Sequence, residues 1–138
     1  MKFSYLKTRT TYSLRKSTIK PEELVTTAKG YGAETLAITE LGNLFSSVKV
    51  YKKCKEEGIK PILGCDFYIT DDSHLTNLTV LAINLQGWKD LLRAVAISNS
   101  QLNFNHEKDI ATIKMAELAS CCSGNWIVYT GDLLSWII

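Results

Sequence analysis

The chain has 138 residues, of which 46% are hydrophobic and 22% are charged, and its formal net charge is +2. This composition is typical of one globular domain and excludes both a highly charged disordered chain and a polycation. No apolar run approaches the roughly 20 residues that cross a bilayer, and the first residues become charged too early for a signal peptide, so we expect a cytoplasmic protein.

Side chains of the kinds that bind zinc are few and badly spaced. They are Cys54, Cys65, Cys121, Cys122, His74 and His106. None of the cysteines forms a C-x-x-C pair, which is the usual element of a structural zinc site. We therefore expect four reduced thiols in or near the core and two surface histidines in polar loops.

The first third of the chain predicts strand, loop, helix and strand. Residues 3–8 alternate in polarity as a short strand does, and residues 10–20 have no period. Residues 21–30 form a helix that begins at Pro21 and ends at Gly30. Residues 35–39 are an apolar run typical of a buried strand.

The remaining elements continue this alternation. Asn43 is the expected N-cap of a helix that Gly58 ends. Residues 60–69 form one strand, or two short ones with a kink at Gly64, and residues 70–76 form a turn. A strand at 78–83, a helix at 88–98, a polar loop at 101–109, a helix at 115–122 and a strand at 126–130 complete the chain. This order predicts an α/β fold with a mainly parallel sheet of about five strands and flanking helices, whose ligand sites lie beyond the carboxyl ends of the strands.

The opening segment is strongly basic, because six cations from Lys2 to Lys20 precede the first acid, Glu22. Such a segment is either a solvated edge or an attractor of phosphate or of an acidic partner. The candidates for contact with phosphate or DNA are Lys7, Arg9, Arg15, Lys16 and Lys20.

Several strings occur together in a specific order. They are YSL at 12–14, LAITELGNLF at 36–45, YKKCK at 51–55, GIKPILGCD at 58–66 and LTVLA at 78–82. With GW at 87–88 and LL at 91–92, this set resembles the PHP (polymerase and histidinol phosphatase) domain of bacterial DNA polymerase III alpha subunits, from residue 3 to about residue 132. The resemblance implies the first half of a distorted (β/α)7 barrel. Residues 1–138 are then a single, partial PHP-like domain, either a fragment or a naturally short relative. Its open strand edges need cover from missing residues, a second copy or a rearranged sheet.

The resemblance also identifies the positions at which members of the family hold zinc, manganese or magnesium. They correspond to Lys7, Arg9, Lys16, Glu40, Leu41, Asp66, Asn99 and Asp132. No histidine stands at any of them, and only Glu40, Asp66 and Asp132 offer oxygen ligands. A protonated cation offers no lone pair to a metal. We therefore expect neither a bound metal nor another cofactor, no catalytic residues, and cations paired with the remaining carboxylates.

The expected function is that of a PHP portion of a replicative DNA polymerase with a degenerate metal site. Its role in replication would be structural or partner-binding, toward the rest of the alpha subunit and the proofreading exonuclease subunit, and toward DNA only indirectly. The nucleotidyltransferase activity would belong to the longer parent, a DNA-directed DNA polymerase. Two alternatives stay open: a metal-dependent phosphoesterase or 3′–5′ exonuclease, and a DNA-binding module that uses the basic opening segment.

Overall fold

The computed structural model describes residues 4–71 and 74–130. The helices are α1 (Pro21–Gly30), α2 (Ser47–Glu57), α3 (Leu85–Ser98) and α4 (Met115–Cys121). The strands are β1 (Thr35–Leu41), β2 (Lys60–Asp71), β3 (His74–Ala82), β4 (Phe104–Asn105), β5 (Ile110–Lys114) and β6 (Trp126–Thr130). The α/β class predicted from the sequence is confirmed.

The helices begin and end where local chemistry favours it. Helix α1 has Pro21 in its first turn, and α2 ends at Gly58, which takes a left-handed φ of 70°. The predicted N-cap of α2 is wrong: Ser46 occupies that position, and the Asn43 side chain instead accepts a hydrogen bond from the Phe45 amide at 3.1 Å. An asparagine can form such a local turn as readily as a cap. Helix α3 begins three residues earlier than predicted because Asn84 caps it by accepting from the Gly87 amide.

The sheet is mixed, which corrects the expectation of a mainly parallel one. Strand β2 is parallel to β1 over its first half and to β5 near its end, but antiparallel to β3, which is in turn antiparallel to β6. Only residues 72–73 separate β2 from β3. So short a connection joins antiparallel neighbours, whereas a parallel pair needs a crossover of a dozen residues or more.

The predicted opening strand is largely irregular. Among the described residues of this segment, only Tyr5 forms a bridge, with Leu36 of β1. Two further backbone bonds, from the Ala37 amide to the Tyr5 carbonyl and from the Thr39 amide to the Thr8 carbonyl, both 2.8 Å, align the segment with β1. Residue 3 lies outside the described residues. The segment therefore runs along the sheet edge without completing a full ladder.

Two other predicted boundaries also change. The turn predicted at 70–76 is mostly strand, because β2 continues to Asp71 and β3 begins at His74. The loop predicted at 101–109 contains the short strand β4, which pairs with the unpredicted β5. Polar residues dominate both stretches, so the apolar pattern that identifies strands is weak there.

The core consists of two apolar clusters. One lies between β2, β3 and helices α3 and α4, around Phe67, Val80 and Leu91; the other joins α1, α2 and β1 around Leu36 and Val50. Cys54, Cys65 and Cys121 are buried as expected, but Cys122 is exposed just after α4 ends. Within the described part of the chain, no helix combines the length and the hydrophobicity that crossing a membrane requires.

Candidate functional site

Four side chains form a row across one face of the sheet. Leu41 of β1 is in register with Asp66 of β2, Asp66 with Thr79 of β3, and Thr79 with Tyr129 of β6. Neighbouring residues on a strand point to opposite faces, so this row lies opposite the face on which Cys65 and Phe67 join the helix-covered core. This row and residues 4–9, called the opening segment from here on, form the first part of the candidate site.

Gly64 allows β2 and β3 to approach closely just before Asp66. A Cβ at residue 64 would lie 2.5 Å from the Val80 carbonyl oxygen, closer than side-chain carbons come to backbone. A glycine is therefore required for this close approach of the two strands. The Gly-Cys-Asp string thus has a local physical basis, because the glycine fixes the strand pair that carries Asp66.

Asp66 is fully buried and bound by two cations and a hydroxyl. Arg9 donates to Asp66 Oδ2 through Nε at 3.1 Å and also through Nη2, and Lys7 Nζ lies 3.3 Å from the same oxygen. Thr79 Oγ1 donates to Asp66 Oδ1. The side chains of Lys7 and Arg9 are 32% and 24% exposed, whereas that of Asp66 is 0% exposed. The carboxylate is therefore withdrawn from water and compensated on both oxygens.

Tyr129 extends this cluster to the opening segment. Its hydroxyl donates to the Leu6 carbonyl at 2.6 Å, and Lys7 Nζ donates to Asn77 Oδ1 of β3 at 3.4 Å. Burial raises the pKa of Tyr129, the hydrogen bond with Thr79 partly opposes that rise, and the nearby Asp66 charge adds to it. The opening segment therefore crosses this row of side chains and contacts β2, β3 and β6.

Glu40 lies in a different environment on the other face of the sheet. It is in register with Cys65, one position before Asp66, and only 1% exposed. Its carboxylate accepts hydrogen bonds from the hydroxyls of Thr10, Ser13 and Ser46, and from the Thr10 amide at 3.1 Å. Within the described ranges no cation forms an ion pair with Glu40, so the expected pairing of this acid with a basic side chain is wrong.

The Glu40 carboxylate fixes the loop that follows the opening segment. Ser13 donates to Glu40 Oε2 and at the same time accepts from the Leu41 amide at 3.0 Å. Thr10 and Ser13 are 0% and 1% exposed, so both hydroxyls are buried with their acceptor. The loop is therefore attached to the end of β1 by buried hydrogen bonds to a single charged group.

The other predicted site residues divide between the surface and a cavity of about 530 Å³. Residues 12–16, 41–43 and 108–111 line this cavity, together with Phe45, Tyr68, Asn99 and Phe104. Leu41 and Asn99 thus lie at the cavity, where Asn99 Nδ2 donates to the Gly42 carbonyl at 3.0 Å. Lys16 is exposed on the cavity wall, Lys20 is exposed at the start of α1, and Asp132 lies outside the described residues.

Several contributors were missed in the sequence. The hydroxyls of Thr79, Thr10, Ser13 and Ser46 donate to the two carboxylates, and the Tyr129 hydroxyl donates to the Leu6 carbonyl; the sequence assigned none of these roles. For Thr79 a signal existed, since the short connection between β2 and β3 predicts a hairpin that places Thr79 opposite Asp66. Tyr129 lies one strand further away, opposite Thr79 in β6. No comparable sequence pattern indicated that the hydroxyls of Thr10, Ser13 and Ser46 bind Glu40.

The histidines lie apart from this site. His74 begins β3 rather than lying in a loop, and the His106 ring packs edge-on against Phe104 with centroids 5.1 Å apart. Across residues 4–71 and 74–130, the structure contains no group of three or more His, Cys, Asp or Glu side chains placed to hold a metal ion.

Solved structures with a similar fold belong to enzymes of the barrel type. An amidohydrolase from Chromobacterium violaceum aligns with a TM-score of 0.58 and 17% identity over 72% of this chain and 34% of its own. A candidate metal-dependent phosphoesterase from Bifidobacterium adolescentis aligns with a TM-score of 0.53 and 17% identity over 76% of this chain and 37% of its own. At this identity the likeness establishes the fold alone, an α/β fold similar to part of each of these larger chains.

Comparison of sequences identifies the family more specifically than comparison of structures does. Residues 6–137 match the PHP domain, and the chain belongs to the PHP domain family. Similar curated proteins are DNA polymerase III alpha subunits, from Treponema pallidum at 36% identity over 67% of this chain and from Staphylococcus aureus (strain Mu50) at 31% over 85%. The chain spans only 9% and 11% of the lengths of these two relatives. The resemblance noted in the sequence is therefore confirmed.

Proposed function

We propose that this chain is the PHP portion of a replicative DNA polymerase III alpha subunit in which an ion-pair cluster replaces the metal site, and that its role is structural or partner-binding. The observation that supports this most directly is the fully buried Asp66 carboxylate held by Arg9 and Lys7. Both cations occupy positions at which the family resemblance expects histidine ligands.

The donor set fits a divalent metal poorly. A metal ion needs lone pairs, which a protonated lysine or arginine does not offer, and it is repelled by their charge. Both oxygens of Asp66 already accept from Thr79, Arg9 or Lys7. Both oxygens of Glu40 accept from hydroxyls. A metal would have to displace these buried bonds at either carboxylate.

A structural role is supported by what the cluster connects. Lys7 and Arg9 attach the opening segment to β2, and Tyr129 attaches it to β6. Buried ion pairs add little net stability compared with apolar packing, but they strongly favour one arrangement because a displaced partner leaves a buried charge. The replaced site would thus fix the position of the opening segment on the sheet.

The proposed partners follow from the relatives. Those proteins are alpha subunits about ten times longer than the matched region, so the rest of such a subunit is the first partner we propose. The proofreading exonuclease subunit is the second, with DNA contacted only indirectly. A role in replication also implies a cytoplasmic location.

Two assays test the proposal on one preparation. The first measures binding of the folded chain to the remaining alpha subunit and to the proofreading exonuclease, and we expect saturable binding to at least one. The second measures hydrolysis of a model phosphodiester with manganese or zinc, and we expect none above background. Absence of binding by a folded chain, or hydrolysis that Asp66→Ala abolishes, would overturn the proposal.

A gain-of-metal variant sharpens the second assay. Lys7→His combined with Arg9→His replaces both cations by side chains with lone pairs and frees Asp66 Oδ2. We expect this variant to bind zinc more tightly than the parent chain in equilibrium dialysis. Equal zinc binding by the parent would show that the cations do not exclude the metal.

A further inference from the structure

A cavity of about 540 Å³ lies between helices α2 and α3, and we call it the α2–α3 groove. Tyr51 of α2, Leu63 of β2 and Trp88 of α3 are among the residues that line it. Leu63 lies two residues before Cys65 in β2, so it shares the helix-covered face of the sheet, opposite the face that carries Asp66. None of the family metal-site positions within the described residues lines the groove, which is therefore separate from the candidate site.

Helix α2 presents apolar side chains on two of its faces. Val50 and Cys54 are buried in the core. Val48 and Tyr51 line the groove instead, and they are 59% and 44% exposed. Across the groove, Leu85 of α3 is 69% exposed. A helix that packs on one side needs a single apolar stripe, so the second set of apolar side chains, continued on α3, marks an interaction surface.

The groove also contains a buried hydroxyl without a partner. Ser47 lines the groove and is only 1% exposed, and within residues 4–71 and 74–130 its Oγ makes no hydrogen bond. Buried polar atoms are almost always hydrogen-bonded, so an unsatisfied one requires an explanation. Ser47 precedes Tyr51 by about one helical turn, so a ligand that contacts Tyr51 can also reach this hydroxyl. The hydroxyl points to an occupant that carries a polar group among its apolar ones.

The edge of the groove is positively charged. Lys52 lines it, and no acidic residue of the described chain does. Lys55, one turn further along α2, lies 5.6 Å from the centroid of the Tyr51 ring. Among the described residues neither lysine forms an ion pair, whereas Lys53 is paired with both acids of the helix. The groove therefore complements an acidic partner.

This charge argues against a second copy of the chain as the occupant. In a two-fold dimer the same patch meets itself, so Lys52 and Lys55 would face the same lysines of the other copy. Like charges brought together at an interface are unfavourable. The chain spans only 9% and 11% of the two alpha subunits compared above, so most of such a subunit lies outside the matched region. Charge and length together favour the remaining alpha subunit as the occupant.

We propose that the α2–α3 groove binds an acidic amphipathic helix of the remaining alpha subunit. Apolar side chains of that helix insert between Tyr51 and Leu85, a carboxylate lies at Lys52, and a polar side chain bonds to Ser47. The span from Ser47 to Lys52 covers only about 7.5 Å along the axis of α2, so one helix can contact all of these residues. Grooves between helices commonly bind amphipathic helices. This inference rests on the partner-binding role proposed above and assigns that role a surface and a ligand chemistry.

Fluorescence polarisation tests the inference with labelled overlapping peptides that cover the remaining alpha subunit, each titrated with the whole chain. We expect the peptides that bind to be acidic and to carry large apolar side chains three or four positions apart. Their affinity should fall as salt rises, because an exposed ion pair at Lys52 contributes to binding. Overlapping peptides from the proofreading exonuclease form a second set, and we expect none of them to bind in the groove.

Paired variants separate the groove from general charge and from general hydrophobicity. Lys52→Glu should lower peptide affinity roughly tenfold, and Lys108→Glu, the same change at an exposed lysine beside the other cavity, is its control. Leu85→Ala should also lower affinity roughly tenfold, since it removes an exposed apolar contact of the groove. Leu92→Ala, an exposed leucine of α3 outside the groove, is its control. Both controls should leave affinity nearly unchanged.

Ser47→Ala separates binding from folding. The change removes a hydroxyl that has no partner in the described structure, so the free energy of unfolding should stay the same or rise. Peptide affinity should nevertheless fall roughly fivefold, because the occupant loses a hydrogen bond. Unchanged affinity with lower stability would make Ser47 a structural residue and overturn its contact with the occupant.

The remaining outcomes are decisive for the groove. The inference is overturned if Lys52→Glu and Leu85→Ala bind the peptides as well as the parent chain does, or if basic peptides bind as tightly as acidic ones. Exonuclease peptides whose binding these variants abolish would overturn the choice of occupant. So would self-association of the parent chain, measured by analytical ultracentrifugation, that Leu85→Ala abolishes. In all these cases the proposed function stands if the chain binds either whole partner protein; it fails separately if a folded chain binds neither.

Discussion

Two buried carboxylates of this chain solve the same physical problem in different ways. Asp66 is compensated mainly by the cations Arg9 and Lys7, whereas Glu40 is compensated by three hydroxyls and an amide. They lie on adjacent strands but on opposite faces of the sheet. Burying either charge without partners would cost several kcal/mol, so both sets of contacts are required.

The two buried carboxylates therefore have different structural roles. The Asp66 cations come from the segment before residue 10 and connect it to the middle of the sheet. The hydroxyls that donate to Glu40 belong to residues 10–13 and to Ser46, and they shape a loop beside a cavity. One carboxylate fixes where a segment lies, and the other fixes how a loop is folded.

The largest expected effect comes from removing both cations. Lys7→Ala with Arg9→Ala leaves the Asp66 carboxylate buried with only Thr79 as a hydrogen-bond donor. We expect the free energy of unfolding to fall by about 3–5 kcal/mol, the usual cost of breaking a buried ion pair from one side. Urea denaturation followed by circular dichroism measures this change.

Asp66→Asn in the same background is the control. It removes the uncompensated charge and should recover a large part of the lost stability. If adding Asp66→Asn to the double-alanine variant recovers no stability, the loss comes from packing of the two long side chains instead.

Glu40→Ala is the second test. Thr10, Ser13 and Ser46 lose their common acceptor inside the protein. We expect a loss of about 2–3 kcal/mol, because unsatisfied hydroxyls cost less than an unsatisfied charge and some regain water. Hydrogen exchange should rise in residues 10–16 and stay unchanged in β6. Uniform exchange across the chain would contradict a local role for Glu40.

Thr79→Val gives a smaller effect at the other carboxylate. The variant keeps the shape of the side chain but removes its hydrogen bond to Asp66 Oδ1. We expect a loss of about 1.5 kcal/mol, since the charge remains compensated on Oδ2 by Arg9 and Lys7. A loss as large as that of the double-alanine variant would mean that the hydroxyl, not the cations, is the main partner.

The smallest expected effect is a pH dependence at Tyr129. Burial raises the pKa of its hydroxyl, so below its ordinary pKa of about 10 both folded and unfolded states keep the proton. As pH rises above that value, the unfolded state loses its proton first, and the free energy of unfolding falls. We expect a contribution of less than about 1 kcal/mol, because the ring is half-buried. Tyr129→Phe should lose less stability than the parent between pH 9 and 11; equal losses would assign the effect to the lysines.

The sequence predicted the family and most of the elements, but it missed β4 and β5, and it predicted only part of the site. Helix α1 and strands β1 and β6 were predictable because apolar runs and terminal residues such as Pro21 and Gly30 identify them. The mixed sheet could have been anticipated from the short connection between β2 and β3. The pairing of Lys7 and Arg9 with Asp66 followed from charge. That Glu40 lies on the opposite face from Asp66 depends on strand register, which sequence spacing alone does not reveal.

The hydrogen bond from Tyr129 to the Leu6 carbonyl joins residues 123 positions apart. Contacts between residues so far apart in the chain form late, and they make folding slower because the chain must close a large loop first. On a ribosome, the opening segment would be made long before the strand that completes its contacts. Before β6 is synthesised, Lys7, Arg9 and the bonds to β1 can already hold the opening segment, so the order of synthesis favours early formation of the Asp66 pair.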